Sequence, residues 1–140
     1  MTLRHYAEEL SEFPDVIGQF GWRKGIIIDA IAGAGIDITT IDAVIGRGGV
    51  VKPIPSGVYE VTDALKRDLL KCTYGQHASN LGGLIAADLA DGIGIPSYIA
   101  DPVVVEELQA VARVTGRPEI ERLSILHALN QKALARSFAS

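Results

Sequence analysis

The run "IDAVIG" at residues 41–46 passes directly into Gly46-Arg47-Gly48-Gly49. A short, largely apolar run bounded by turn residues is the pattern of a strand buried on both faces of a parallel or mixed sheet. A strand with one wet face alternates polar and apolar residues instead. Such a sheet needs helices packed over it, so this stretch already points to an α/β fold. Two further strands are predicted, "GVYEV" at 57–61 and "IPSYIA" at 95–100. Sheets usually have about four to six strands, so one of three is expected to borrow a strand or to lack some.

Helical spacing fills the intervals. Residues 6–13 read as a short helix stopped by Pro14. Val16, Phe20, Ile27 and Ile31 continue a helical pattern from 15 to about 34, weakened by Gly18, Gly21 and Gly25 and ended by Gly33 and Gly35. Thr62 and Asp63 suit the start of a helix containing Ala64, Leu65, Leu69 and Cys72. Ser79 or Asn80 caps the next, with Leu81, Leu84, Ile85 and Leu89 on one face and Gly92 and Gly94 at its end. Asp101-Pro102 has the form of an acidic cap followed by proline at the first helical position, with Val104, Leu108 and Val111 as the buried face. A last helix is predicted from about 118 to 138, with Ile120, Leu123, His127, Leu134 and Phe138 on one face.

A chain of 140 residues is expected to form one domain, and 48% apolar with 21% charged residues fits a soluble globular protein. The 17 carboxylates outnumber the 13 Lys and Arg, giving a net charge of −4 and no clustered basic face, which argues against a nucleic-acid partner. The charged start, "MTLRHYAEELSEF", is no signal peptide, and the longest apolar stretch, "GIIIDAIAGAGI", is short and contains Asp29, which argues against a membrane span. A single cysteine, Cys72, reads as a packing residue, and the reducing cytoplasm is the default location.

Ligands of open α/β sheets bind beyond the carboxyl ends of the strands. At the first such end stand Arg47, whose guanidinium offers a fixed fork of donors to a carboxylate or phosphate, and Gly48 and Gly49, which allow ligand oxygens close to the backbone. A surface arginine in a flexible turn reads equally well. At another end stands Asp101, which suits Mg²⁺ or a reacting group but, placed before Pro102, reads first as a helix cap. "YGQHASNLGG" sets His77, Ser79 and Asn80 before a helix N-terminus, a position suited to anions or to satisfying a buried loop. His127, on an apolar helix face, reads as a core histidine. No zinc spacing and no G-x-S-x-G elbow is present, which removes metal-hydrolase and serine-hydrolase readings.

Taken in order, "GRGG" with "KPIPSG", "HASNLGG", "DPVVVEEL" and "HALNQKA" resemble the butyrate kinases, members of the acetate and sugar kinase/actin-like superfamily. The resemblance runs from "LRHYAEELSEF" to "HALNQKALAR". It implies an α/β, ribonuclease-H-like (actin-like ATPase) domain, incomplete here, with a mixed sheet flanked by helices. It also implies reversible phosphoryl transfer from ATP, with Mg²⁺, to a short-chain carboxylate. Arg47 then corresponds to an active-site arginine and Asp101 to the strand-end aspartate near metal and phosphoryl group. His77 and Asn80 fall at the acyl-phosphate site, His127 and Asn130 on a helix bordering it, and Gly48 and Gly49 beside the nucleotide.

The resemblance further implies that residues 1–140 match most of an N-terminal lobe without its first strands. The Asn-x-Gly-Ser-Thr-Ser-type phosphate loop and the adenosine-binding C-terminal lobe have no counterpart here. The chain alone is then expected to bind ATP poorly or not at all, and its open sheet edge to pair with another copy as a homo-oligomer. Competing expectations are a branched-chain fatty acid kinase, a non-catalytic kinase-derived assembly module, and an unrelated flavodoxin-like binding domain.

Overall fold

The computed structural model describes residues 5–124 and 128–139. In chain order its helices and strands are α1 (Ala7–Leu10), α2 (Phe20–Gly33), β1 (Val44–Arg47), β2 (Val58–Glu60), α3 (Asp63–Leu70), α4 (Asn80–Ile93), β3 (Ser97–Ala100) and α5 (Ala128–Ala139). The strands form one mixed sheet of order β1-β3-β2. β1 runs parallel to β3 with Arg47 opposite Ala100, and β2 runs antiparallel to β3 with Val58 opposite Ala100. The α/β class and the thin three-stranded sheet are those expected.

Parallel neighbours require a long crossover, supplied here by the stretch from β2 through α4. Thr62 starts α3 as anticipated, its hydroxyl accepting the Leu65 N–H at 3.3 Å. Gly94, in the left-handed region at φ 73°, closes α4 as anticipated. Between these ends α4 buries Leu81, Leu84, Ile85, Ala86, Ala87, Leu89 and Ala90, so it is apolar nearly all round and lies at the centre of the fold. The core joins Leu81, Leu84, Ile85 and Leu89 to Leu69 of α3 and to Val51 and Val104 of the loops beyond β1 and β3. Phe20 and Ile27 bring α2 onto this cluster, with a Lys24–Asp88 ion pair at 2.5 Å between α2 and α4.

Three expectations are corrected. β1 is covered on one face only: α4 packs over Gly46, while Ile45 on the opposite face is 60% exposed and Val58 of β2 is 62% exposed. Asp101-Pro102 begins no helix. A cap residue needs extended backbone, whereas Asp101 sits at φ +43° and exchanges hydrogen bonds with Gly57, its N–H donating to the Gly57 carbonyl and its Oδ1 accepting the Gly57 N–H, both at 2.9 Å. The β-branched run that follows is drawn into the core, with Val104 and Val105 buried and Val105 bridged to Ile54. Val111, assigned to a buried helix face, is 77% exposed.

The last helix is shorter than expected, Ala128–Ala139. Gly116, at φ +87°, turns the chain so that Val114 bridges Glu121, and the Thr115 hydroxyl donates to the Ile120 carbonyl at 2.7 Å. Ile120, Leu123, Leu134 and Phe138, assigned to a common apolar face, are exposed. Glu106 organises this region instead: its carboxylate accepts the N–H groups of Leu108 and Ser124, each at 2.9 Å, and a 2.8 Å bond from Arg113. Those hydrogen bonds, from Ser124 first and Leu108 next, hold the Glu106 carboxyl below its ordinary range, with Arg113 adding to them against partial burial.

Candidate anion-binding site

At the carboxyl end of β1 lies a cavity of about 550 Å³, between α2 and the start of α4. Small-molecule sites usually enclose about 300–1,000 Å³. Its polar lining includes Arg47, Arg23, His77, His5 and Ser79, and its apolar lining Ile26, Ile27, Leu81, Ile85 and Val103. Among the described residues no carboxylate lines it. Arg23 and Arg47 have no acidic partner among the described residues, whereas Lys24, Arg113 and Arg117 are each paired with one. A guanidinium left uncompensated beside apolar walls attracts an anion, and the half-buried Arg23 is screened less by water than the exposed Arg47.

The local sequence explains where Arg47 stands. It is the last residue of β1, and α4 crosses the strand with almost no separation: a Cβ on Gly46 would lie 2.1 Å from the Gly82 carbonyl oxygen, and one on Gly82 would lie 2.5 Å from that of Arg47. Glycine at both positions lets the helix seat directly on the strand backbone, which puts the first turn of α4 against the backbone of Arg47, a residue that is itself exposed.

His77 stands just before that turn. Its Nδ1 accepts the Ser79 N–H at 3.1 Å and lies 2.7 Å from the Ser79 hydroxyl. A ring nitrogen that accepts a backbone N–H carries no proton, so the neutral ring holds its proton on Nε2, as a donor. The ring bonds the N–H of Ser79, the residue before the first turn, and no side chain makes a cap bond to α4 among the described residues. The N–H groups of Asn80, Leu81 and Gly82 are taken by the carbonyls three residues earlier, so α4 offers the cavity its dipole and not free donors.

The other predicted residues have different surroundings. Asn80 is fully buried, and its amide is fully engaged: Oδ1 accepts the Val50 N–H at 2.8 Å, and Nδ2 donates to the Gly75 carbonyl at 2.9 Å and lies 3.6 Å from the Cys72 sulfur. It holds the loops after β1 and α3 together and does not line the cavity. Packing accounts for Gly48 and Gly49 as well: a Cβ would lie 2.6 Å from the Pro102 Cα at the first and 2.6 Å from the Asn80 Oδ1 at the second. Asp101 follows Ala100, the partner of Arg47, so both stand at one sheet edge; its Oδ1 is held by Gly57 and its Oδ2 makes no bond among the described residues. No group of three metal-ligating side chains exists among the described residues. His127 lies outside the described residues, and Asn130 is described only as a member of α5.

Arg23 and His5 escape sequence reasoning. The available signal for Arg23 was its place four residues after Gln19, a spacing at which two side chains meet on a helix. Its Nε donates to Gln19 Oε1 at 3.0 Å.

The cavity thus combines the lining residues Arg47, from a strand end, and Arg23, from α2, with an apolar wall. Comparison with known proteins identifies relatives. No family model matches the chain. It is 51% identical over 138 residues to butyrate kinase 1 of Clostridium acetobutylicum and 47% identical to butyrate kinase 2 of the same organism, in each case over 99% of the chain and 39% of the relative. A probable butyrate kinase of Clostridium botulinum is 48% identical over 98% of the chain, again 39% of the relative. The chain is therefore a relative of the butyrate kinases that matches a portion of one, spanning 39% of their length.

Proposed function

We propose that the chain forms the acyl-phosphate side of a butyrate kinase-type phosphotransferase, an ATP-using enzyme that converts butanoate to butanoyl phosphate and back. Within that reading residues 1–140 are most of an N-terminal lobe with a ribonuclease-H-like fold. The observation that carries the reading is the carboxylate-free cavity ending at Arg47, in a chain about half identical to butyrate kinases.

The chemistry asks little of a protein beyond positioning and charge neutralisation. A butanoate oxygen bonds to the γ-phosphorus of ATP as the bond from that phosphorus to the ADP oxygen breaks. Butanoate is already ionised at neutral pH and needs no general base. Arg47 binds the carboxylate or the transferring phosphoryl group through its fork, and the Nε2–H of His77 is a further donor to that charge. Ile85 and Val103 shelter the hydrocarbon tail. Magnesium commonly takes one or two carboxylates, with phosphate oxygens and water completing the shell. Asp101, with Oδ2 available, suits that role, and the ion when bound would neutralise phosphate charge. The reading places the chain in the cytoplasm. The outer edge of β1, unpaired among the described residues, supports self-association.

The test is a hybrid in which this chain replaces the matching 138 residues of butyrate kinase 1 of Clostridium acetobutylicum. With ATP, Mg²⁺, butyrate and hydroxylamine it is expected to yield butyryl hydroxamate, and Arg47→Ala is expected to lower kcat on the order of 10³-fold. A folded hybrid without product rejects the assignment. Near-normal turnover of the Arg47→Ala hybrid rejects the role of Arg47.

A further inference from the structure

We infer that Arg23 is a second anion-binding residue of this cavity, positioned by Gln19, and that α2 reads both ends of a short-chain acid. The inference rests on the cavity being the acyl site. Arg23 is half-buried and tethered through Nε alone, at 3.0 Å, to a glutamine that is only 8% exposed. That bond leaves both Nη groups, the fork suited to a carboxylate, without a partner among the described residues. The guanidinium carbon lies 5.7 Å from the Trp22 ring centre, and Trp22 is itself held between His5 at 4.8 Å and Phe13 at 5.5 Å. A guanidinium fixed before the ligand arrives loses less side-chain freedom on binding.

A purely structural arginine would be expected to face an acidic group, yet the cavity lining contains Arg23 and Arg47 and, among the described residues, no carboxylate. The next residue, Lys24, shows the alternative: it is paired with Asp88. Ile26 and Ile27 follow at i+3 and i+4, on the face of α2 that carries Arg23, and both line the cavity. Side chains at this spacing stand about 5–6 Å apart, the scale of a chain of a few carbons. One helix thus presents a cation for the carboxylate and an apolar wall for the tail.

The experiment titrates the 140-residue chain with sodium butyrate, and separately with sodium phosphate, following the amide resonances of Ser79 and Gly82 by NMR. It repeats the titrations on Arg23→Gln, Arg23→Lys, Gln19→Leu and Arg47→Gln, with thermal unfolding of each. Arg23→Gln is expected to weaken butyrate binding about tenfold or more, the worth of a charge-assisted hydrogen bond, with little change in melting temperature. Arg23→Lys restores part of the affinity, and Gln19→Leu weakens it less than Arg23→Gln. Normal butyrate affinity in Arg23→Gln, with loss in Arg47→Gln, overturns the inference and leaves the acyl-site reading standing. No response of the wild-type chain to tens of millimolar butyrate overturns both. Equal affinity for phosphate and butyrate overturns the assignment of α2 to the hydrocarbon tail. Should Arg23→Gln fail to fold, the Gln19→Leu and Arg23→Lys titrations decide, and wild-type affinity in both overturns the inference.

Discussion

Gly46→Ala should be among the most damaging single-methyl changes available to this chain. The added Cβ would stand 2.1 Å from the Gly82 carbonyl oxygen and 2.5 Å from its carbon, both backbone atoms of α4 that cannot swing aside. Ordinary contact begins near 3.4 Å, so α4 or β1 must withdraw by more than an ångström. That movement opens the packing of Leu81, Leu84 and Ile85, all in the main core cluster. Overpacking a tight core costs about 1–3 kcal/mol, and a clash between two backbones belongs at or above the upper end. For a domain of this size about 3 kcal/mol lowers the melting temperature by roughly 10 °C. The same change at Gly25 of α2 is the control, because no atom lies within 4 Å of its Cβ position. Gly25→Ala should therefore stabilise the chain by roughly 0.5–1 kcal/mol, through helix propensity alone. Thermal unfolding by circular dichroism compares the two. A Gly46→Ala protein melting within about 2 °C of the wild type would refute the backbone-contact account.

Asn80→Ala leaves the Val50 N–H and the Gly75 carbonyl unpaired at a wholly buried position and should cost about 2–5 kcal/mol, read from the urea midpoint. Asp101→Asn keeps an oxygen for the Gly57 N–H and tolerates the left-handed backbone, so its melting temperature should change little, while hydroxamate formation in the hybrid falls on the order of 10²-fold. Glu106 is held low by bonds that favour its ionised form, so its contribution is fully present above the ordinary glutamate value of about 4.3 and lost as pH falls through its lower folded value. The amide resonances of Leu108 and Ser124 should titrate together below that pH in the wild type, and Glu106→Gln should abolish the titration.

The strands, the helix starting at Thr62 and the glycine end of α4 were legible because each rests on local chemistry: apolar runs, a cap hydroxyl, a left-handed glycine. The segment after β3 was not. Asp-Pro has the same local form whether it opens a helix or, as here, a turn. What decides is the pairing of Asp101 with Gly57, 44 residues away in the chain. Arg47 was legible as a strand-end cation, and it is among the residues that line the cavity. Asn80 belonged to the same motif as His77, but no spacing rule separates an amide that faces a ligand from one that fastens two loops. The role of Arg23 was hidden because its neighbours in the cavity come from β1 and the turn before α4, which only the folded chain assembles.

The backbone contact between Gly46 and Gly82 has a mechanical consequence. With no side chain between them to tilt or repack, β1 and α4 move as one piece, so Arg47 and the turn carrying His77 keep a fixed separation. The opposite wall is α2, which has glycines at 21, 25 and 33 with no neighbouring atoms and no fully buried residue. If the cavity takes an acid as proposed, α2 is the wall expected to adjust around it, and the strand-helix pair the wall expected to stay fixed.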